Sequence, residues 1–110
     1  MARVRETNDW LLPEELSSGA GPILVLFFDS GRPESRPTAR AFAEVAREHS
    51  GAFRFLSCDL EENPSVRRDR ALDALPAIVL FAEGVEVLRR EGAQGRKSIS
   101  KMLVGKQRKP

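Results

Sequence analysis

Two continuous apolar runs stand out in the pattern of hydrophobic and polar positions along the chain. Every residue of Ile23–Phe28 is apolar, and the run lies between Pro22 and Asp29. Residues 77–81 form a second run of the same kind. Short runs rich in β-branched and aromatic side chains are typical of central strands that are buried on both faces. We therefore expect two central strands here.

Weaker patterns complete a predicted sheet. Residues 52–58 alternate well enough for a strand, and residues 85–88 follow the turn dipeptide Glu83-Gly84. A tight turn between two apolar runs predicts a hairpin between residues 77–81 and 85–88. Residues 3–5 are long enough only for a possible edge strand.

Helical patterns separate these strands. From Pro33 or Glu34 to about residue 48, alanines and a phenylalanine recur every three or four positions, and Pro37 is expected to kink or delay this helix. Asn63-Pro64 predicts a helix start, with the helix reaching about residue 72. Weaker helices are predicted over residues 8–16, capped by Asn8 or Asp9, and over residues 95–104.

The order of these elements predicts the fold class. It gives two strand–helix–strand crossovers, then a hairpin and a closing helix. This order predicts an α/β protein with a mixed four- to five-stranded sheet and helices on both faces. The length of 110 residues suits one domain, which we place at residues 1–104, followed by a polar basic tail at residues 105–110.

Composition and charge narrow the function classes. The 41% hydrophobic and 31% charged residues are ordinary for a globular domain, and no apolar run approaches the roughly 18 residues that span a bilayer. No apolar signal region follows the first residues, so we expect a cytoplasmic protein that does not act at membranes.

The net charge of +2 conceals an asymmetry. The last fifteen positions carry six bases and no acid, which leaves 12 bases against 16 acids and a body near −4. The basic character is thus terminal, and the pattern does not favour nucleic acid as a partner. The six bases are Arg96, Lys97, Lys101, Lys106, Arg108 and Lys109.

Reactive side chains are scarce. The chain has one cysteine, Cys58, and one histidine, His49, which excludes a disulfide framework and a Cys/His zinc site, and we predict no metal and no cofactor. Cys58 is interpreted as a small buried hydrophobe. His49 and Ser35 are fourteen residues apart on one predicted helix, or about 20 Å, too far for a nucleophile–base pair. The charged stretch 67–70 is interpreted as a solvent-exposed helix face.

Several short motifs occur in a particular order. They are Ile23–Phe28 followed by the helix after Gly31, Asn63-Pro64, Leu75-Pro76 before a buried strand, Phe81-Ala82-Glu83-Gly84, and Gly92-Ala93 before the last helix. This ordered set resembles the thioredoxin family over about residues 10–104. The resemblance implies the thioredoxin-like fold and a cis peptide bond between Leu75 and Pro76.

The chain departs from the family where the family does its chemistry. The family's Trp-Cys-Gly-Pro-Cys corresponds to Gly31-Arg32-Pro33-Glu34-Ser35, and its buried carboxylate to Leu26. Thiol–disulfide exchange needs a thiolate at a helix start and a second thiol that resolves the mixed disulfide. Neither arginine nor serine can take these roles, so we predict a protein that is not an enzyme and has no catalytic residue.

The resemblance also implies a binding site. Family members hold extended polypeptide in a groove between the active-site turn and the cis-proline loop. Backbone pairing and apolar contacts would supply the affinity here, and Arg32 at the rim would favour acidic ligands. The walls of this groove would be Gly31, Arg32, Pro33, Leu75, Pro76 and Gly92.

Three functions remain in view. The first is a redox-inactive module that binds a protein or extended peptide. It could act as a chaperone, or as a maturation factor similar to the thioredoxin-like escorts of hydrogenase subunits, which carry Arg and Pro-Glu near the turn. The second is an oxidoreductase or redox sensor that uses Cys58 alone. The third is a structural or dimerisation module, and the sequence leaves the oligomeric state open.

Overall fold

The computed structural model describes residues 4–18, 21–49 and 51–107. Its five strands form one mixed sheet in the order β1-β3-β2-β4-β5. Strands β1 and β2 run parallel to β3, whereas β4 runs antiparallel to β2 and pairs with β5 as a hairpin. The predicted α/β class with a mixed sheet is confirmed. The strands are β1 (Val4–Thr7), β2 (Ile23–Phe28), β3 (Arg54–Asp59), β4 (Ala77–Ala82) and β5 (Val85–Glu91).

Four α-helices and one 3₁₀ turn connect the strands, and several bounds differ from the prediction. Pro33–Ser35 form the 3₁₀ turn, so the second helix begins only at Arg36, which is the delay expected from Pro37. The final helix extends three residues past the predicted end. The helices are α1 (Leu12–Leu16), α2 (Arg36–His49), α3 (Pro64–Asp69) and α4 (Arg96–Gln107). Arg3 and residues 108–110 of the predicted tail lie outside the described residues.

Two helices are shorter than predicted for local reasons. Before α1, the Asn8 side-chain oxygen accepts hydrogen bonds from the N–H groups of Trp10 and Leu11, at 2.9 and 2.8 Å. Asn8 therefore caps a turn that precedes the helix. Beyond α3, Ala71 adopts a left-handed conformation with φ of 53°, which ends the helix before residue 72.

The central strands are buried on both faces, as the apolar runs predicted. Alternate side chains of β2, such as Val25 and Phe27, pack in one layer with α1 and α3. Leu24 and Leu26 pack in the opposite layer, under α2 and α4. In that second layer Phe42 meets Phe55 edge to face, with ring centroids 5.6 Å apart. No helix in the described ranges is long and apolar enough to cross a membrane.

Candidate functional site

The strand register brings the predicted groove segments to one end of the sheet. Phe27 of β2 pairs with Ala77 of β4, so the turn after β2 lies beside the residues that precede β4. Ala77 also pairs with Glu91 of β5, which places Gly92 beside Pro76. The Gly92 N–H donates a 2.7 Å hydrogen bond to the Pro76 carbonyl oxygen. The turn, the proline loop and the start of the β5–α4 loop are thus neighbours.

The loop before β4 has the expected geometry. The Leu75–Pro76 peptide bond is cis, which confirms the expectation from the family resemblance. Pro76 is buried, and Leu75 is partly buried against the layer that contains α1 and α3. Gly92 has a φ of 92°, and a Cβ atom added there would meet nothing within 4 Å. The backbone at Gly92 therefore faces open space.

The turn after β2 is held by its own polar groups. Asp29 accepts the N–H of Arg32 on its carbonyl oxygen and the N–H of Gly31 on its carboxylate, at 2.9 and 2.8 Å. The Arg32 guanidinium lies 3.6 Å from the same carboxylate and is largely exposed. A Cβ atom at Gly31 would lie 2.8 Å from a Glu61 carboxylate oxygen. The tryptophan of the family therefore has no room at this position unless Glu61 moves.

A small hollow of about 180 Å³ adjoins this turn, and we call it the turn cavity. Two arginines, Arg32 and Arg36, border it, opposed by the single carboxylate of Asp29. Neither Leu75, Pro76 nor Gly92 lines it. Its lining residues are Phe28, Asp29, Ser30, Arg32, Ser35, Arg36 and Ala39.

Ser35 and Leu26 stand at positions that the sequence predicts to correspond to redox groups of the family. Ser35 is 4% exposed at the end of the 3₁₀ turn, and its N–H donates to the Arg32 carbonyl oxygen at 3.2 Å. Leu26 is 2% exposed and lies in the apolar layer under α2 and α4. A carboxylate at this position would be surrounded by hydrocarbon.

Cys58 lies on β3 and is fully buried. Burial, together with the negative charges of Asp59 and Asp9 and against the opposing charge of Arg70, raises the pKa of its thiol from 9.0 to about 11. The thiol therefore stays protonated near neutral pH. Its burial matches the interpretation of Cys58 as a small core residue.

The charged stretch 67–70 does more than contact solvent. The Arg67 guanidinium donates to the carbonyl oxygens of Leu72 and Asp73, both at 2.9 Å, and so holds the loop that leads to Pro76. The Arg70 guanidinium lies 5.4 Å above the ring of Phe81. The interpretation as a solvent-exposed face holds for residues 67–69, whereas Arg70 is partly buried.

Sequence reasoning missed a larger hollow. A cleft of about 580 Å³, which we call the Trp10 cleft, opens at the carboxyl ends of β1, β2 and β3. Ligands of open α/β sheets bind outside this end of the strands. The polar residues that directly follow β1 and β3 were the feature of the sequence that could have indicated this cleft. Its lining residues are Glu6, Thr7, Asn8, Asp9, Trp10, Phe28, Ser57, Asp59, Glu62 and Asn63.

The mixed sheet, the cis-proline before β4 and the helix that follows the turn after β2 define a thioredoxin-fold protein. The sequence profile of the thioredoxin family matches residues 3–104. The chain belongs to the thioredoxin family.

Proteins of similar sequence have low identity to this chain, but the similarity covers most of its length. A thioredoxin of Mycolicibacterium smegmatis is 28% identical over 104 residues, which is 93% of this chain and 92% of the relative. A thioredoxin of Mycobacterium tuberculosis is 26% identical over 102 residues, or 93% of this chain and 87% of the relative. A thioredoxin-like protein of Synechocystis is 24% identical over 98 residues, or 89% and 90% of the two chains.

Proposed function

We propose that this protein is a redox-inactive member of the thioredoxin family that binds an extended segment of a partner protein. The observation that carries the proposal is the pair Arg32 and Ser35 at the positions where the family has its two cysteines. The end of the sheet that would hold a polypeptide keeps its parts, namely the turn, the cis-proline loop and the open backbone at Gly92.

Thiol–disulfide chemistry is the competing function, and the names of the relatives favour it. That chemistry requires a thiolate that a disulfide can reach. The one thiol of this chain is 0% exposed and has a pKa of about 11. An oxidoreductase or redox sensor that uses Cys58 would have to expose this residue first, so we place binding ahead of it.

The groove also suggests what a bound segment contains. The cis-proline loop offers partly buried apolar surface at Leu75, and Gly92 lets a second backbone approach closely. Arg32 and Arg36 border the turn cavity, which favours an acidic side chain in the segment beside it. Such a module suits a chaperone that holds unfolded chains or a maturation factor that escorts one partner.

The reduction of insulin by dithiothreitol separates these functions in one assay. A catalyst shortens the lag before reduced insulin chains aggregate, whereas a chaperone lengthens it. We expect no shortening relative to dithiothreitol alone, because no dithiol is present. A shorter lag that disappears in a Cys58→Ala variant would establish the competing redox function.

The location of binding needs its own measurement. We expect an acidic, extended peptide to perturb the backbone NMR signals of Gly31, Arg32 and Gly92 first. Arg32→Glu should weaken this binding by about tenfold, since it replaces attraction by repulsion. Arg40→Glu, an equal charge change at an exposed position of α2, should leave it unchanged. Perturbations confined to another surface would refute the groove.

A further inference from the structure

Trp10 is a large aromatic side chain displayed at the surface. It is 84% exposed, and its neighbour Leu11 is 40% exposed. The Asn8 side chain holds the backbone of both residues through their N–H groups, so the indole projects from a fixed turn. Tryptophan is one of the side chains enriched among residues that dominate binding energies. An exposed indole on a fixed turn is suited to contact another molecule.

The surroundings of Trp10 specify the charge of that molecule. Among the residues that the structure describes, the lining of the Trp10 cleft includes the carboxylates of Glu6, Asp9, Asp59 and Glu62, and no lysine, arginine or histidine. Burial alone would raise the pKa of the Asp59 carboxyl, but hydrogen bonds from the Ser30 hydroxyl and from the N–H groups of Ser30 and Glu61 outweigh it and lower that pKa. The cleft therefore presents an indole within a negative field.

The walls of the cleft are joined by one buried amide. Asn63 is 7% exposed; its oxygen accepts the Asp9 N–H at 3.1 Å, and its NH₂ group donates to the Asp59 carbonyl oxygen at 2.9 Å. These bonds link the loop after β1 to the loop after β3. The cleft is thus formed before any ligand arrives, which reduces the entropy lost on binding.

The carboxylates are spread along the cleft. Within the described part of the chain, no three histidine, cysteine, aspartate or glutamate side chains are grouped closely enough to hold a metal ion. Separated carboxylates around an exposed indole suit several cationic groups on one flexible chain. Guanidinium fits best, because it pairs with a carboxylate through two parallel hydrogen bonds and also stacks on an aromatic face.

We propose that the Trp10 cleft binds an arginine-rich extended segment of a partner protein, with one guanidinium over the Trp10 indole and others paired with the cleft carboxylates. This surface is separate from the groove assigned above and takes ligands of the opposite charge. Phe28 lines both the Trp10 cleft and the turn cavity, so the two sites adjoin.

Binding at the Trp10 cleft can be measured by the fluorescence of the Trp10 indole. Trp10 is the only tryptophan and the chain has no tyrosine, so the intrinsic fluorescence reports on this cleft alone. A blocked peptide of alternating arginine and serine should change the fluorescence in a saturable manner. The matched citrulline–serine and glutamate–serine peptides should bind at least about tenfold more weakly. Salt at about 0.5 M should strongly weaken binding of the arginine peptide, since exposed charges are then screened within a few ångströms.

Variants distinguish the contribution of the indole to binding from that of the carboxylates. The readout is the fluorescence anisotropy of a labelled arginine peptide. Trp10→Leu should weaken binding by about tenfold, and Trp10→Phe should retain part of it. The double variant Asp9→Asn with Glu62→Gln should also lose about tenfold. Glu14→Gln with Glu83→Gln removes the same charge at exposed positions outside the cleft and serves as the control. Circular dichroism verifies that each variant is folded.

Each alternative outcome refutes the proposal. Equal affinity for the arginine and citrulline peptides would show that charge does not direct binding. Equal losses in the two double variants would show that the net charge of the protein acts, and not the cleft. Absence of binding at millimolar peptide would exclude the site. Self-association that the arginine peptide cannot displace would make a second copy, with its own basic C-terminal stretch, the occupant.

Discussion

At the scale of single residues, one set of carboxylates has two effects. Asp9 and Asp59 line the Trp10 cleft, where their charge attracts cations. The same two residues raise the pKa of Cys58, which is already raised by burial. The carboxylates that suit a basic ligand therefore add to the larger effect of burial in keeping the Cys58 thiol protonated.

Cys58 should be inert in the folded protein. At pH 7.5 we expect a disulfide reagent such as dithionitrobenzoate to label no thiol in native protein within minutes, and one thiol per chain after unfolding in guanidinium chloride. Burial blocks access, and a pKa of about 11 leaves almost no thiolate.

A matched control tests whether the reagent reports exposure. Cys58→Ala combined with Arg32→Cys moves the thiol to an exposed position and should label rapidly in the native state. Native labelling of Cys58 at the unfolded rate would contradict its burial and would favour the single-cysteine redox function.

At the scale of elements, the turn between β2 and α2 keeps the spacing of a dithiol site. Arg32 precedes the 3₁₀ turn and Ser35 ends it, and the Ser35 N–H bonds the Arg32 carbonyl oxygen. The backbone therefore joins the two positions across a single turn at the start of a helical stretch, where the partial positive charge of the helix end stabilises a thiolate.

Two substitutions should restore a disulfide at this turn. In a Cys58→Ala background, Arg32→Cys with Ser35→Cys should form an intramolecular bond, measured by thiol counting before and after reduction. Insulin reduction should remain well below that of an ordinary thioredoxin, because Leu26 stands where the family has its buried carboxylate.

The single variant Arg32→Cys in the same background is the control, since it has no second thiol within the chain. A double variant that is folded and monomeric but cannot be oxidised would show that residues 31–35 are wrongly aligned with the family motif.

At the scale of the whole molecule, two apolar layers share the same three strands. Phe81 belongs to the layer under α1 and α3, and Phe42 to the layer under α2 and α4. Because adjacent residues of β2 and β4 point into opposite layers, neither layer can disperse while the other keeps its strands in place. This arrangement predicts one cooperative unfolding unit.

Shortening a core side chain in either layer should therefore destabilise the whole protein, which should still unfold in one transition. Phe42→Ala and Phe81→Ala should each reduce the free energy of unfolding by about 3–5 kcal/mol while a single transition is retained. Urea unfolding followed by circular dichroism is the measurement, because the exposed Trp10 is a weak reporter of core packing. Val85→Ala, at a 61% exposed position, should change stability by less than about 0.5 kcal/mol. Separate transitions for the two layers would contradict the shared sheet.

The sequence by itself determined the two central strands and the missing dithiol, whereas the predicted edge strand 85–88 extends to Glu91 in the structure. Continuous apolar runs located β2 and β4 to within a residue, because a strand buried on both faces has no polar positions. The bounds of α1 and α3 were wrong, since an Asn8 side chain and a left-handed Ala71 decide where those helices begin and end. That the chain has one cysteine, and therefore no pair of thiols, follows from the sequence alone.

Only the tertiary structure decided the strand order and the Trp10 cleft. Glu6 and Asp9 are about fifty positions from Asp59 and Glu62, and no local pattern relates them. Parallel pairing of β1 with β3 brings the carboxyl ends of both strands to one edge of the sheet, where these four carboxylates gather. The strand order places the groove segments together for the same reason, because the site depends on which strands are neighbours and not on residues that are close in sequence.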